Sequence, residues 1–269
     1  MKTILKIENL TKNFSGLVAV NDLSIEMKER SIHSLIGPNG SGKSTTVNLI
    51  TGFLAPTSGR VLYHDEEIQN QPIHKIARRG IGRTFQNLKL FKSMTVLENV
   101  MVGGHQETKD GILRFLWDIP GSAQRERQLK EKAEEILNFI GMYKLRNEYI
   151  GNISYGRQKV TELGRALMTN PKLMFLDEPA AGLNPTERAE FINILLKTFD
   201  SGVDLFLIEH NMDVVMNISD QITVINFGAK IAEGTPEEIQ NDQEVITAYL
   251  GDKYRAMHKQ GGTADAQGE

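Results

Sequence analysis

Residues 37–45 read Gly-Pro-Asn-Gly-Ser-Gly-Lys-Ser-Thr and stand between an apolar run at 32–36 and a helical pattern at 47–54. Those types at that spacing suit phosphate. Gly37, Gly40 and Gly42, with Pro38, Asn39 and Ser41 between them, let the backbone turn tightly and aim its N–H groups at phosphate oxygens. The helix that follows Thr45 adds the positive end of its dipole. Lys43 would reach the β- and γ-phosphates, and Ser44 would place its hydroxyl on Mg²⁺, which offsets the charge that builds up as the γ-phosphoryl group leaves. A second cluster lies at 173–179, Leu-Met-Phe-Leu-Asp-Glu-Pro, an apolar strand that ends in two adjacent acids. In open α/β sheets ligands lie beyond the carboxyl ends of strands, so Asp177 and Glu178 are placed to reach a bound nucleotide. Asp177 suits an acceptor for a Mg²⁺-bound water, and Glu178 suits the group that orients and deprotonates the attacking water. Together these residues specify an ATP or GTP site.

The elements that must position them follow from periodicity. Short apolar strands alternate with helical patterns, which implies parallel strands joined by crossover helices. Residues 173–176, 204–208 and 221–226 are dense in apolar side chains, as central strands covered on both faces are. Alternating strands at 4–9, 23–27 and 60–63 predict an antiparallel sheet beside this core. Between about 87 and 152 the strand signal vanishes, and Leu129, Ala133, Ile136, Leu137 and Ile140 recur at helical spacing before the stop residue Gly141. A helical insertion is expected there. Thr235-Pro236-Glu237-Glu238 is a capping box that opens another helix, and the Gly/Gln/Ala-rich end, residues 251–269, is expected to be a flexible tail.

Composition narrows the class. A chain of 269 residues, 40% apolar and 24% charged, can bury a large core without staples, and it has no cysteine for disulfides or thiolate metal sites. A formal charge of −3 argues against a nucleic-acid partner that depends on a broad basic face. No apolar run approaches the roughly 18 residues that would span a bilayer, so a soluble chain is expected.

The residues then carry a resemblance that covers the chain from Leu5 to about Gly251. It resembles an ABC transporter ATPase. The most specific marker is Ile153-Ser154-Tyr155-Gly156-Arg157-Gln158, similar to the signature usually written Leu-Ser-Gly-Gly-Gln, with Ile153, Tyr155 and Arg157 as departures and Ser154 and Gly156 retained. These two open a helix whose N-terminal N–H groups and hydroxyl could hold a γ-phosphate, and in the family that phosphate belongs to the opposite subunit. The resemblance also implies that Gln86 senses Mg²⁺ and the attacking water and links core to insertion. It implies that His210 is the switch histidine on the γ-phosphate and that Phe14 stacks on adenine. A core role for Phe14 is the alternative reading. The other histidines, His33, His64, His74, His105 and His258, lie in no comparable context. Residues 181–184, Ala-Gly-Leu-Asn, resemble the D-loop between subunits, with Asn184 either in that role or simply capping the helix opened by Pro185.

Within the superfamily the regional match is to LivG-like ATPases of branched-chain amino-acid importers, through residues 84–91, 94–100, 209–216 and 233–251. Related ATPases for urea, amides or lipopolysaccharide share parts of these. Residues 104–121, with Phe115 and Trp117, resemble an insertion that separates LivG-like from shorter LivF-like subunits; a local packing cluster is the other reading. The fold implied is a P-loop NTPase core, α/β, with an N-terminal antiparallel β subdomain and an inserted α-helical subdomain. One ATPase domain would span 1–250, its core being 1–86 and 153–250 and its helical part 87–152. The cofactors implied are ATP and Mg²⁺. The partners implied are a second ATPase subunit, LivF-like or identical, two transmembrane permease subunits and, indirectly, a solute-binding protein; no nucleic acid is expected. Its implied location is peripheral, on the cytoplasmic face of the inner membrane, with Leu88, Leu90, Phe91 and Met94 in a groove for a permease helix. One phosphate loop, one signature and no Asn-Lys-x-Asp motif set the chain apart from two-cassette soluble ABC ATPases and from GTPases.

Overall fold

The computed structural model of the chain describes residues 2–104 and 122–249. These fall into two compact units, 2–73 with 206–249, and 74–104 with 122–205. In the first unit β1 (Thr3–Phe14) and β2 (Leu17–Lys28) form a hairpin whose register sets Leu5 opposite Met27 and Ile7 opposite Ile25. Leu5, Ile7 and Leu10 are buried, while Lys6 and Glu8 point outward and pair at 2.7 Å. That alternation is what fixes which face of the hairpin is inside. β1 also pairs with β4 (Ser58–Tyr63), and β5 (Glu66–Glu67) completes an antiparallel sheet of order β2-β1-β4-β5.

The same unit holds β3 (Ile32–Ile36), buried at every residue, and after it α1 (Lys43–Ile50). β3 runs parallel to β9 (Gln221–Asn226), which turns back into β10 (Ala229–Gly234); the order is β10-β9-β3-β8, where β8 is Asp204–Ile208. Ile36, Ile222 and Val224 pack with Val215 of α7 (Met212–Ile218), Ile239 of α8 (Pro236–Asn241) and Val245. The capping box expected at 235–238 is present, with Thr235 and Glu238 satisfying each other's backbone N–H groups.

In the second unit β6 (Ile81–Arg83) and β7 (Leu173–Asp177) are parallel, in the order β8-β7-β6. Its helices are α3 (Val96–Val102), α4 (Ser122–Phe139), α5 (Tyr155–Leu167) and α6 (Pro185–Asp200), with α2 (Ile73–Arg78) at the boundary between units. α3, α4 and α5 meet at Gly164, where a Cβ would stand 3.4 Å from Val100 of α3, 3.6 Å from Ile136 of α4 and 2.6 Å from Ile140 just past α4. An added Cβ would have to displace the Ile140 methyl, so glycine eases this approach. Of the helical stretch expected at 87–152, the described parts, 87–104 and 122–152, lie inside this unit; 105–121, with the tail at 251–269, lies outside the described residues.

Boundaries moved where backbone hydrogen bonding outruns side-chain patterning. The strands expected at 4–9 and 23–27 run to Phe14 and start at Leu17, because the ladder absorbs register shifts near residues 7–13. The helix expected from 47 begins at Lys43, since polar residues fill its first turn.

His33 on β3 is buried, stacks on Phe206 at 5.3 Å and shares a hydrogen bond with Thr223 Oγ1 at 2.9 Å. Burial pushes its pKa down to about 4, helped by the nearby charge of Lys230. An unfolded chain therefore takes up a proton that the fold refuses, so the contribution of this site is complete above pH 6.5 and is lost as pH falls towards 4. We expect the urea midpoint to drop over that window by an amount equivalent to roughly 3 kcal/mol, and His33→Asn to flatten the decline.

Candidate nucleotide site

The phosphate loop is shaped by what leaves no room for side chains. Gly37, Gly40 and Gly42 have φ of 156, 79 and 103°. A Cβ on Gly37 would meet the Ile225 carbonyl at 2.0 Å, and one on Gly42 the Ala19 carbonyl at 2.4 Å. The β9–β10 turn and β2 thus press directly on the loop, and Gly228 N–H, donating to Ser41 O at 2.9 Å, ties the turn to it. Lys43 is buried and its ammonium donates to the carbonyls of Gly37 at 2.7 Å and Pro38 at 2.9 Å. Its charge is held inside the loop's curve. Ser41 Oγ is buried without a hydrogen-bond partner, an unusual loss that a phosphate oxygen would make good. Asn39, Gly40 and Ser44 are exposed, and Thr45 half-buried.

Phe14 closes β1 with its ring 42% exposed and Lys12 Nζ 5.1 Å from its centroid. It is no core residue. His210 is exposed just after β8; its N–H donates to Glu209 Oε2 at 3.2 Å, and Asn211 N–H to the same oxygen at 3.4 Å. Glu209 is fully buried and shapes this turn, a role that apolar periodicity cannot signal.

In the second unit Asp177 and Glu178 end β7 as expected, but they face different partners. Asp177 is buried and pairs with Arg83 at 3.4 Å, where burial lowers the guanidinium pKa and the carboxylate opposes that effect. Glu178 sits at φ 46°, a left-handed conformation that costs a non-glycine residue about 1–2 kcal/mol. Two anchors hold it. Lys159 Nζ donates to its carbonyl at 2.8 Å, and Gln86 Nε2 donates to its carboxylate at 2.8 Å. The structure therefore joins Gln86 to Glu178 directly. Arg83, two residues along β6 from its start, and Lys159, on α5, are contributors that no local motif marks.

Beyond Gln86 the chain makes a tight turn around Asn99 of α3. Asn99 is fully buried; its Oδ1 accepts from Phe91 N–H at 2.8 Å, and its Nδ2 donates to the carbonyls of Phe91 and Thr95, both at 3.0 Å. Phe91 is left half exposed, with Leu88, Leu90 and Met94 half-buried beside it. Lys89 N–H donates to Glu162, whose pKa is raised by burial and moderated by that bond and by Arg165.

Ser154 caps α5, accepting Arg157 N–H at 3.3 Å and donating to Glu187 Oε1 at 3.0 Å. Gly156 is buried, and a Cβ there would lie 2.7 Å from the Glu187 carboxylate. Two of the departures from the signature pattern have partners of their own. The Tyr155 ring packs on Gly182, and Arg157 pairs with Glu190 at 3.3 Å. Asn184 caps α6, accepting Glu187 N–H at 2.9 Å.

With this geometry established, likeness to known proteins decides the family. The sequence model of the ABC transporter family matches residues 20–181, and that of the branched-chain amino acid ATP-binding cassette transporter matches 229–255. The chain belongs to the ABC transporter family. It is an ABC ATPase of α/β P-loop fold with an antiparallel β subdomain and a helical insert. It is 44% identical to the high-affinity branched-chain amino acid transport ATP-binding protein BraF of Pseudomonas aeruginosa, over 93% of this chain and 99% of that one. The corresponding LivG of Escherichia coli K12 is 42% identical, over 93% and 98%. Among solved structures, a nucleotide-free ATP-binding cassette from an ABC transporter superposes with a TM-score of 0.82 at 38% identity, covering 92% of this chain and 99% of that one. The ADP conformation of the cassette MJ1267 gives 0.82 at 36%, covering 93% and 100%.

Since Gly42 combines a left-handed backbone with a carbonyl 2.4 Å from any Cβ, Gly42→Ala should lower ATP affinity about tenfold or more. Calorimetric titration checks it, with the far-UV circular dichroism unchanged.

Proposed function

We propose that the chain is the ATP-hydrolysing subunit of an importer for branched-chain amino acids, working as one ATPase domain over 1–250. The observation that carries this reading is 44% and 42% identity to BraF and LivG over nearly their full length, joined by the match of residues 229–255 to the branched-chain cassette model. Its partners are a second ATPase subunit, identical or LivF-like, two permease subunits and, indirectly, a solute-binding protein. It works peripherally on the cytoplasmic face of the membrane; among the described residues no helix is long and apolar enough to cross one.

The residues suit ATP and Mg²⁺. Glycine-shaped N–H groups, the enclosed Lys43 ammonium and the unpartnered Ser41 hydroxyl fit phosphate oxygens. Ser44, Gln86 and Asp177 offer the hard oxygen donors that Mg²⁺ takes, and Mg²⁺ when bound would neutralise charge on the departing phosphoryl group. Lys43 draws charge from the same group. Phe14 presents an open ring face for adenine. Glu178 aligns the attacking water and accepts its proton, with Gln86 fixing the carboxylate from one side. His210 contacts the γ-phosphate and keeps water and carboxylate in line. Ser154 and Gly156 receive the phosphate held by the opposite subunit, so nucleotide binding favours the paired state and loss of γ-phosphate removes that preference. Closure passes to the permease through the groove of Leu88, Leu90, Phe91 and Met94.

Glu178→Gln should bind ATP, pair stably and turn over about a hundredfold or more slowly. Turnover within a few-fold of the parent, measured by phosphate release, would remove Glu178 from this role. Pull-down through a tagged chain from native membranes should recover permeases and a receptor that binds leucine, isoleucine or valine; a receptor for another solute overturns the assignment.

A further inference from the structure

The end of α5 already carries an anion of the chain's own. Glu187 places Oε1 3.0 Å from Ser154 Oγ and against Gly156, while Oε2 accepts Asn184 N–H at 3.4 Å. A serine hydroxyl has a single proton, and here Glu187 takes it. The first-turn N–H groups and the helix dipole make this the place on α5 where negative charge is most stable. A phosphate brought to Ser154 would meet a carboxylate that competes for the same proton and repels it.

We propose that Glu187 is a positioning residue that occupies the signature end of α5 in the unpaired subunit and must withdraw before Ser154 can bind the phosphate of a facing subunit. The proposal rests on the reading of Ser154 given above. It makes Glu187 a threshold for closure. Because Oε2 also serves the cap of α6, withdrawal removes one of the two side-chain bonds of that capping box. The turn at 181–184 then loosens only when a γ-phosphate arrives, and that couples the signature to the D-loop within one chain.

The test uses the assembled transporter, purified through a tag on this chain with the subunits that accompany it. Steady-state ATPase kinetics and competitive inhibition by ADP are measured for the parent, Glu187→Gln, Glu187→Ala and Ser154→Ala. Removing one unit charge about 4 Å from a phosphate in water predicts that both Glu187 variants reach half-maximal rate at about fivefold lower ATP. Inhibition by ADP, which has no γ-phosphate, should stay as in the parent; a merely structural loss would weaken ATP and ADP alike. If Ser154→Ala is impaired and neither Glu187 variant lowers the half-saturating ATP, the proposal fails. If Ser154→Ala matches the parent in kcat and KM, the phosphate-clamp reading itself fails, whatever Glu187 does.

Discussion

Two backbone carbonyls, those of Ile225 and Ala19, set the shape of the phosphate loop. They lie where side chains on Gly37 and Gly42 would be, so the loop is not free to choose its conformation. It is moulded by the β9–β10 turn and by β2, elements distant in sequence. Enclosure has an electrostatic result. The Lys43 ammonium is lodged among carbonyl oxygens of its own loop, donating to those of Gly37 and Pro38, so its positive charge is held inside the loop's curve. The backbone of the loop is thus ordered by tertiary packing.

The carboxylate half of the machinery follows a different logic, one of strain held by charge. Glu178 adopts a backbone conformation that it would not choose alone, and the ammonium of Lys159 and the amide of Gln86 hold its two ends. Charge-assisted hydrogen bonds of this kind contribute roughly 1.5–3 kcal/mol, enough to offset the strain. Its neighbour Asp177 has its own cation in Arg83. The two adjacent acids are therefore given unlike surroundings, as the two different roles proposed for this dipeptide require.

Much of this was legible in the chain. The phosphate loop, the acids at the end of β7 and the capping box at 235–238 depend on local types and short spacings, and β3, β8 and β9 lie at the boundaries that their apolar runs mark. The choice between a core and an open position for Phe14 was not legible, because a hairpin tip hides no more than its length allows; the structure leaves the ring open. Nor was the setting of Tyr155 and Arg157. Read as substitutions in a motif they threaten a phosphate contact, yet both side chains bend towards α6 and its loop, where Gly182 and Glu190 receive them. Arg83, Lys159, Asn99, Glu187 and Glu209 act across the fold through partners that no periodicity announces. The cassette was therefore readable where its chemistry is local, and opaque where one buried polar group waits for another.

Asn99 illustrates the opaque kind and carries a mechanical consequence. Its amide is spent on the backbone of the turn at 91–95, and the turn's outer side chain, Phe91, is left half exposed. Such a knuckle has no slack. Bending the turn would strip a fully buried amide of its bonds, so the turn is tied to α3 by the same side chain that caps its own hydrogen bonding.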